Sequence, residues 1–325
     1  MLSISRRPIL RLVAAGTLSI LAWNASPASA EVKGLEILAP SSPGSGYDQL
    51  ARAMQTTLQE EKLASAVQVE NIAGGGGTVG LAKYVTTKKR APNVMIVGFA
   101  LVGGILTTQS QVTLEQTAPL ARLVGEQDVI VVPENSDIRT MADLVARMRE
   151  NPGSVSWGGG SIGGVDHVLV GLIAKAAGVD PTKINFVVHA GGGEVLASAL
   201  GGHVTTAVSG YNELSEQIRA GKLRALAVSG EERLPGLDAP TLRETGVDVA
   251  LVNWRGLVTT KDIRPADRKA LTEAVDKMVK SPIWQEALQK RGWQDLYQPS
   301  EGFTAFLAQQ QVQIKTALQD VGLVK

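Results

Sequence analysis

A short apolar run that passes through a glycine-bearing loop into a helix start recurs along this chain, and that recurrence narrows it to an α/β architecture. Leu35–Ala39 leads through Pro40–Tyr47 to a helix with Tyr47, Leu50, Met54 and Leu58 on one stripe. Ala66–Glu70 enters Asn71–Gly80 and a helix to about Val85, and Val94–Val97 enters Gly98–Ala100 and an apolar helix to about Thr108. The scheme then repeats. Ser154–Trp157, Ile184–Val188 and Val204–Val208 enter the loops Gly158–Gly164, His189–Gly193 and Ser209–Asn212, ahead of helices ending near Ala177, Leu200 and Ala220. Leu223–Val228 closes this second set, and the 31 positions from Pro40 to Asn71 equal those from Gly158 to His189. Two βαβαβ units account for the echo. Strands alternating with helices imply parallel sheets with right-handed crossovers, whose ligands sit outside the carboxyl ends of the strands. Here those ends are loops opening helices, where free N–H groups and the positive end of the dipole suit an anion.

Val129–Pro133 lies between the units and Ser229–Pro240 follows the second, so these read as the two crossings of a hinge. After Pro240 the chain reads as a return to the first unit. Its strand is Val252–Val258, followed by helices at Pro265–Lys280, Pro282–Arg291 and Ser300–Val321, with proline at or near the first position of the earlier two. The expected domains are 31–128 with 241–325, and 129–240.

Residues 1–30 read as an export signal: Arg6, Arg7 and Arg11 precede the apolar run Leu12–Trp23, and Ala28-Ser29-Ala30 supplies a cleavage site. The run is short for a membrane span, so cleavage after Ala30 and release into the periplasm are expected. The segment carries three of the 32 basic residues and none of the 31 acidic ones, which leaves a mature chain of 29 against 31, formally −2. A basic stripe for nucleic acid is absent from that balance. Without cysteine there is neither thiol chemistry nor a zinc–thiolate site, and a chain this long can build a core without disulfides.

Gly75, Gly77, Gly80 and Gly158, Gly160, Gly163 both match G-x-G-x-x-G, but neither is followed at the next strand end by the acid that a dinucleotide ribose requires. No Gly-Lys-Ser/Thr follows either run, which excludes a P-loop. No cofactor and no metal are implied. The repeated glycine runs point instead to close backbone approach to a ligand. Pro40–Tyr47, Asn71–Gly80, Trp157–Asp166 and His189–Gly193 hold no Lys or Arg, so an anion there would rest on amides, hydroxyls and dipoles. Asp166, Glu194 and Glu213 read as first-turn acids complementing helix dipoles. Ser45 and Asp48 fit a capping box, with Asp48 equally placed to hold the loop or the ligand. No G-x-S-x-G or H-E-x-x-H is present, and His189 is the one strand-end base an enzyme could use. Trp157, Trp254 and Tyr211 read as core, and Tyr47 as the aromatic at the cleft.

At Pro43–Arg52, the Asn71–Gly80 loop and Gly158–His167 the sequence resembles the solute-binding proteins of the tripartite tricarboxylate transporter family, the TctC or Bug group. Asn253-Trp254-Arg255-Gly256 and Leu234–Thr241 extend the resemblance through essentially the whole mature chain. It implies a two-domain periplasmic-binding-protein fold, a Venus flytrap with two parallel-rich sheets flanked by helices and a two-segment hinge. It also implies capture of a di- or tricarboxylate such as citrate by a monomer that serves small and large membrane subunits. By position, Ser45, Gly46, Tyr47, Asp48, Gly76 and Thr78 would hold the carboxylate, with Ser161, Gly163, Gly164, Ala190 and Gly191 closing from the second domain. Gly77 in the same glycine loop and Asn212 in the Ser209–Asn212 turn complete the candidates. Ser45 and Tyr47 stand where many members have glycine and Trp or Thr, which bears on the solute selected. A sensor subunit, or an exported enzyme using His189, is the alternative reading.

Overall fold

A computed structural model describes Leu2 and residues 31–87 and 92–325; apart from Leu2, the expected export signal and its cleavage site lie outside the described residues. In chain order, β1 (Val32–Lys33) and β2 (Glu36–Ala39) precede α1 (Gly46–Glu60), and β3 (Ala64–Ser65) pairs with β1. β4 (Gln68–Asn71) leads through a turn at Gly75–Gly77 to α2 (Thr78–Thr86), and β5 (Asn93–Gly98) leads to α3 (Phe99–Thr107). β6 (Thr117–Glu126) is followed by β7 (Asp128–Pro133), α4 (Met141–Glu150), β8 (Ser156–Gly159), α5 (Val165–Ala176) and β9 (Asn185–Val188). Then come α6 (Gly192–Leu200), β10 (Thr206–Gly210), α7 (Tyr211–Arg219) and β11 (Leu223–Val228). β12 (Asn253–Thr260), α8 (Pro265–Lys280), α9 (Pro282–Arg291), β13 (Gln294–Pro299) and α10 (Ser300–Asp320) finish the chain.

Among the described residues, a two-stranded β1-β3 sheet stands apart from two large sheets, one per lobe. The first large sheet has the order β13-β6-β12-β5-β2-β4 and the second β11-β7-β10-β8-β9. Every residue of β5 is buried, as expected of an inner strand covered by helices on both faces. Leu50, Met54 and Leu58 of α1 are buried beside Met278 and Trp284 on one face of the first sheet, while Leu81, Tyr84, Leu101 and Phe303 pack on the other. Trp157, Leu169 and Ile173 fill the second lobe on one side, and Val195, Val204 and Leu214 on the other. Trp157 and Trp254 are core residues, 0% and 2% exposed.

The sheets are mixed rather than parallel throughout. β2 runs parallel to β4 and β5, and β8 parallel to β9 and β10, but β6, β7, β12 and β13 pair antiparallel with their neighbours. The reason lies in the first crossing. Gln127 alone separates β6 from β7, so the chain passes from one sheet into the other without the helical crossover that a parallel connection demands. Val129–Pro133, expected as a crossing, is therefore the body of a strand in the second sheet. The return crossing also differs. Leu242, Val247 and Val249 belong to the second-lobe core, and the chain re-enters the first sheet at Asn253. Sequence periodicity passed over β6, β13 and α4, although α4 carries a reciprocal Thr140–Asp143 capping box and buries Met141, Leu144, Val145 and Met148.

The crossings are tied to each other. Ser229 Oγ accepts from the Asp128 N–H at 2.9 Å and donates to the Leu251 carbonyl at 2.7 Å. Gln127 Oε1 accepts from the Gly230 N–H at 3.1 Å. Leu50 stands at the centre of the first-lobe core with 0% exposure. Leu50→Ala should cost about 2–5 kcal/mol of unfolding free energy, read as a lower denaturant midpoint in a circular-dichroism titration.

Candidate binding cleft

The carboxyl ends of the parallel strands in both sheets face a cavity of about 790 Å³. Ser45, Gly46 and Tyr47 at the start of α1 and the glycine turn Gly74–Gly77 line it from the first lobe. Gly160, Ser161, Ile162 and Asp166 around the start of α5, His189–Gly192 before and at the start of α6, and Ser209, Gly210 and Glu213 at α7 line it from the second. Asn253 and Arg255 of β12 reach the wall from between them. The glycine turn holds four successive residues at φ of +127°, +57°, +65° and +101°, a region that residues with a Cβ seldom enter. A side chain at Gly76 would also press its Cβ to 2.9 Å from Gly104 Cα in α3.

Of the residues expected from the sequence, Ser45, Gly46, Tyr47, Gly76, Gly77, Ser161, Gly164, Ala190 and Gly191 are on the wall, and Asp48, Thr78, Gly163 and Asn212 stand behind it. Asp48 Oδ2 accepts from the Gly44 N–H at 2.8 Å and from Arg52 Nε at 2.9 Å. Burial works against its charge, but the hydrogen bonds from Arg52, Gly44 and Asn71 outweigh it and hold its carboxyl below the usual value. Its position is that of a brace for the loop. The expected Ser45 cap is not formed: the Ser45 hydroxyl bonds Ser41 Oγ instead. Thr78 Oγ1 donates to the Gly75 carbonyl at 2.9 Å and so closes the glycine turn on itself. Gly163 meets the backbone of Gly103 from the other lobe, where a Cβ on Gly103 would collide with the Gly163 carbonyl. Asn212 donates its side-chain N–H to Gln49 Oε1, a second tie between lobes.

The Tyr47 hydroxyl accepts from the Leu101 N–H at 3.2 Å, and burial pushes its pKa up to about 12 against the opposing pull of Leu101 and Arg255. His167 stacks on Phe186 at 4.1 Å between ring centroids, and burial lowers its pKa to about 4. His189 is on the wall with Nδ1 3.2 Å from the Gly159 carbonyl.

Charge enters the cleft at a place the loops did not disclose. Arg255 pairs with Glu126 at 2.6 Å, their side chains 4% and 1% exposed, and Asp128, Asp166 and Glu213 surround the pair closely enough to shift one another's titration. Burial raises Asp166 to about 6, against the Gly160 N–H that donates to Oδ2 at 2.7 Å. Burial and the Glu126 charge raise Glu213 to about 7, against the Ser209 hydroxyl bonded to Oε2. Asp128 is raised well above its ordinary value by burial and by the neighbouring acids. Burial opposes the Arg255 charge too, but Glu126 and Glu213 outweigh it and raise its pKa.

Asp166, Glu194 and Glu213 all hold first-turn positions, as the sequence suggests. Glu194 accepts from the Ala190 N–H at 2.9 Å, and Asp166 and Glu213 in addition form part of the cavity wall. Several glycines read as room for a ligand make room for this cluster. A Cβ on Gly46 would collide with the Arg255 guanidinium, on Gly192 with the Glu213 carboxylate, and on Gly210 it would fall 2.6 Å from Glu126 Cδ. One signal was available: Glu126, Asp128 and Arg255 sit in largely buried strands, and charges so placed require partners.

Residues 50–323 match the tripartite tricarboxylate transporter family receptor, TctC. BugT of Bordetella pertussis is 27% identical over 281 residues, covering 82% of this chain and 84% of BugT. A ligand-free TctC solute-binding protein from Polaromonas is 26% identical with a TM-score of 0.64, covering 88% of this chain and 98% of its own. MatC from Rhodopseudomonas palustris with bound malate shares the fold at a TM-score of 0.76 and 19% identity, over 89% of this chain and 99% of its own.

The raised acids set a pH dependence. A carboxyl whose pKa is higher folded than unfolded makes the native state bind more protons, so stability falls as pH rises through the interval between the two values. For Asp166 and Glu213 that interval runs from their model-compound values of 3.8 and 4.5 to about 6 and about 7. The melting temperature of the ligand-free protein should fall between about pH 4 and pH 7, and Glu213→Gln should flatten that fall in a buffer-matched calorimetric series.

Proposed function

This chain belongs to the tripartite tricarboxylate transporter family of receptors, and on that basis we propose that it is a periplasmic solute-binding protein that traps an organic acid between its lobes. The observation that carries the reading is the start of α1. Gly46 and Tyr47 are its first residues and stand on the cavity wall, and the first N–H groups of a helix have no partner within it. Together with the helix dipole they form a carboxylate site, braced from behind by Asp48 through Gly44 and facing the loops of the second lobe.

In this reading a di- or tricarboxylate such as citrate bridges the two lobes, and its contacts with both favour the closed arrangement. Export with cleavage after Ala30 places the protein in the periplasm, where as a monomer it presents the closed complex to small and large membrane subunits. No turnover is required. His189, the base on the wall, directs Nδ1 at a backbone carbonyl, and catalysis by it would need a second group to orient it toward a substrate.

A ligand that binds only the folded protein raises its apparent stability. A thermal-shift screen of di- and tricarboxylates, followed by calorimetric titration of those that act, should find at least one that raises the melting temperature. Asp48→Ala should weaken its binding by about tenfold or more, the equivalent of losing one charge-assisted hydrogen bond of about 1.5–3 kcal/mol, with far-ultraviolet dichroism unchanged. A flat response to every acid in the screen would end the proposal.

A further inference from the structure

The two walls of the cleft differ in polarity. On the first lobe the opening N–H groups of α1 face the cavity, and behind Gly46 lies the Arg255 guanidinium. Arg255 is 3% exposed, and its Nη1 has no hydrogen-bond partner among the described residues. On the second lobe four donors near the helix starts are already engaged. The Gly160 N–H is held by Asp166, the Ala190 N–H by Glu194, the Asn212 N–H by Glu126 Oε1 at 3.1 Å, and the Ser209 hydroxyl by Glu213.

That lobe also offers a solute carboxylate oxygen. Asp166 and Glu213 each give one oxygen to their own lobe while both side chains keep part of their surface on the cavity wall. Deeper in the same cluster Asp128 is 0% exposed, with neither carboxylate oxygen hydrogen-bonded among the described residues. One arginine thus stands among four carboxylates, with an unfilled donor on its side and unfilled acceptors on theirs. A solute of carboxylates alone would set like charge against Asp166 and Glu213. One that also carries a donor would complete both sides.

We propose that Asp166 and Glu213 are specificity-determining residues, selecting a carboxylic acid that also bears a hydroxyl or ammonium group directed at the second lobe. This rests on the carboxylate reading above and narrows it to hydroxy- or amino-substituted acids. Either substituent supplies the hydrogen that these acceptors lack, and they differ in charge. An ammonium group uses the negative charge of Glu213, while a hydroxyl needs only an acceptor.

The test is calorimetric titration of the mature chain with the unsubstituted, 2-hydroxy and 2-amino forms of the four-, five- and six-carbon dicarboxylates. At the chain length bound most tightly, a substituted form should bind about tenfold or more tightly than the unsubstituted one. Glu213→Gln keeps an acceptor and removes the charge, so it should lower an ammonium preference by about tenfold and leave a hydroxyl preference within about threefold. Glu213→Ala and Asp166→Ala should erode either preference, with ligand-free melting curves reporting whether each variant is folded. If one fails to fold, the ranking by the unaltered protein and the other alanine variant decide the matter.

An unsubstituted acid bound as tightly as both its derivatives would overturn the inference and leave the carboxylate reading standing. So would an unchanged ranking in a folded alanine variant. Absence of binding by any acid of the series, together with the flat thermal-shift screen described above, would remove the carboxylate reading and this inference with it.

Discussion

The ion pair between Arg255 and Glu126 ties the cleft to the hinge. Both groups are nearly sealed from water, and taking a cation and an anion into a protein interior costs several kcal/mol per ion before their attraction returns it. Such a pair specifies position more than it adds stability. Arg255 on β12 packs beneath the first residue of α1, and Glu126 ends β6, one residue before the crossing. Glu126 also receives the Asn212 N–H at the start of α7, so a single carboxylate joins the arginine of the first lobe to a helix of the second. The hydrogen bonds from Asp128 to Ser229 and from Gly230 to Gln127 then tie the two crossings together around it.

Glycine serves two separate ends at this site. In the Gly74–Gly77 turn the backbone itself demands it, because four consecutive positive φ values exclude a run of ordinary residues. At Gly46, Gly192 and Gly210 the demand is spatial, and the space is filled by Arg255, Glu213 and Glu126. Substitution in the first group would strain a turn, whereas in the second it would displace a charge. The contact of Gly103 with Gly163 is a further close approach, between the lobes themselves.

Much of the architecture could be read from the chain. α8 and α9 begin and end where proline and periodicity place them, and α1 buries the stripe of Tyr47, Leu50, Met54 and Leu58. β6 was passed over because a ten-residue strand, Thr117–Glu126, that crosses its sheet and leaves it has no glycine loop or following helix to announce it. The second role of two acids stayed hidden for a related reason. Asp166 and Glu194 both sit in first turns, and nothing local distinguishes the one that also faces the cavity.

Period, turn residues and loop composition act over a few neighbours, and they were enough to determine two α/β units whose strand ends open onto helix starts. The number of residues in each crossing, the antiparallel strands that follow from it and the meeting of Glu126, Asp128, Asp166, Glu213 and Arg255 depend on segments far apart in the chain. Whether such a group is charged or neutral is set by the dielectric and the partners that packing brings to it. Tertiary structure alone decided that a cleft lined by amide-rich loops would also carry a buried acidic cluster on its second-lobe wall.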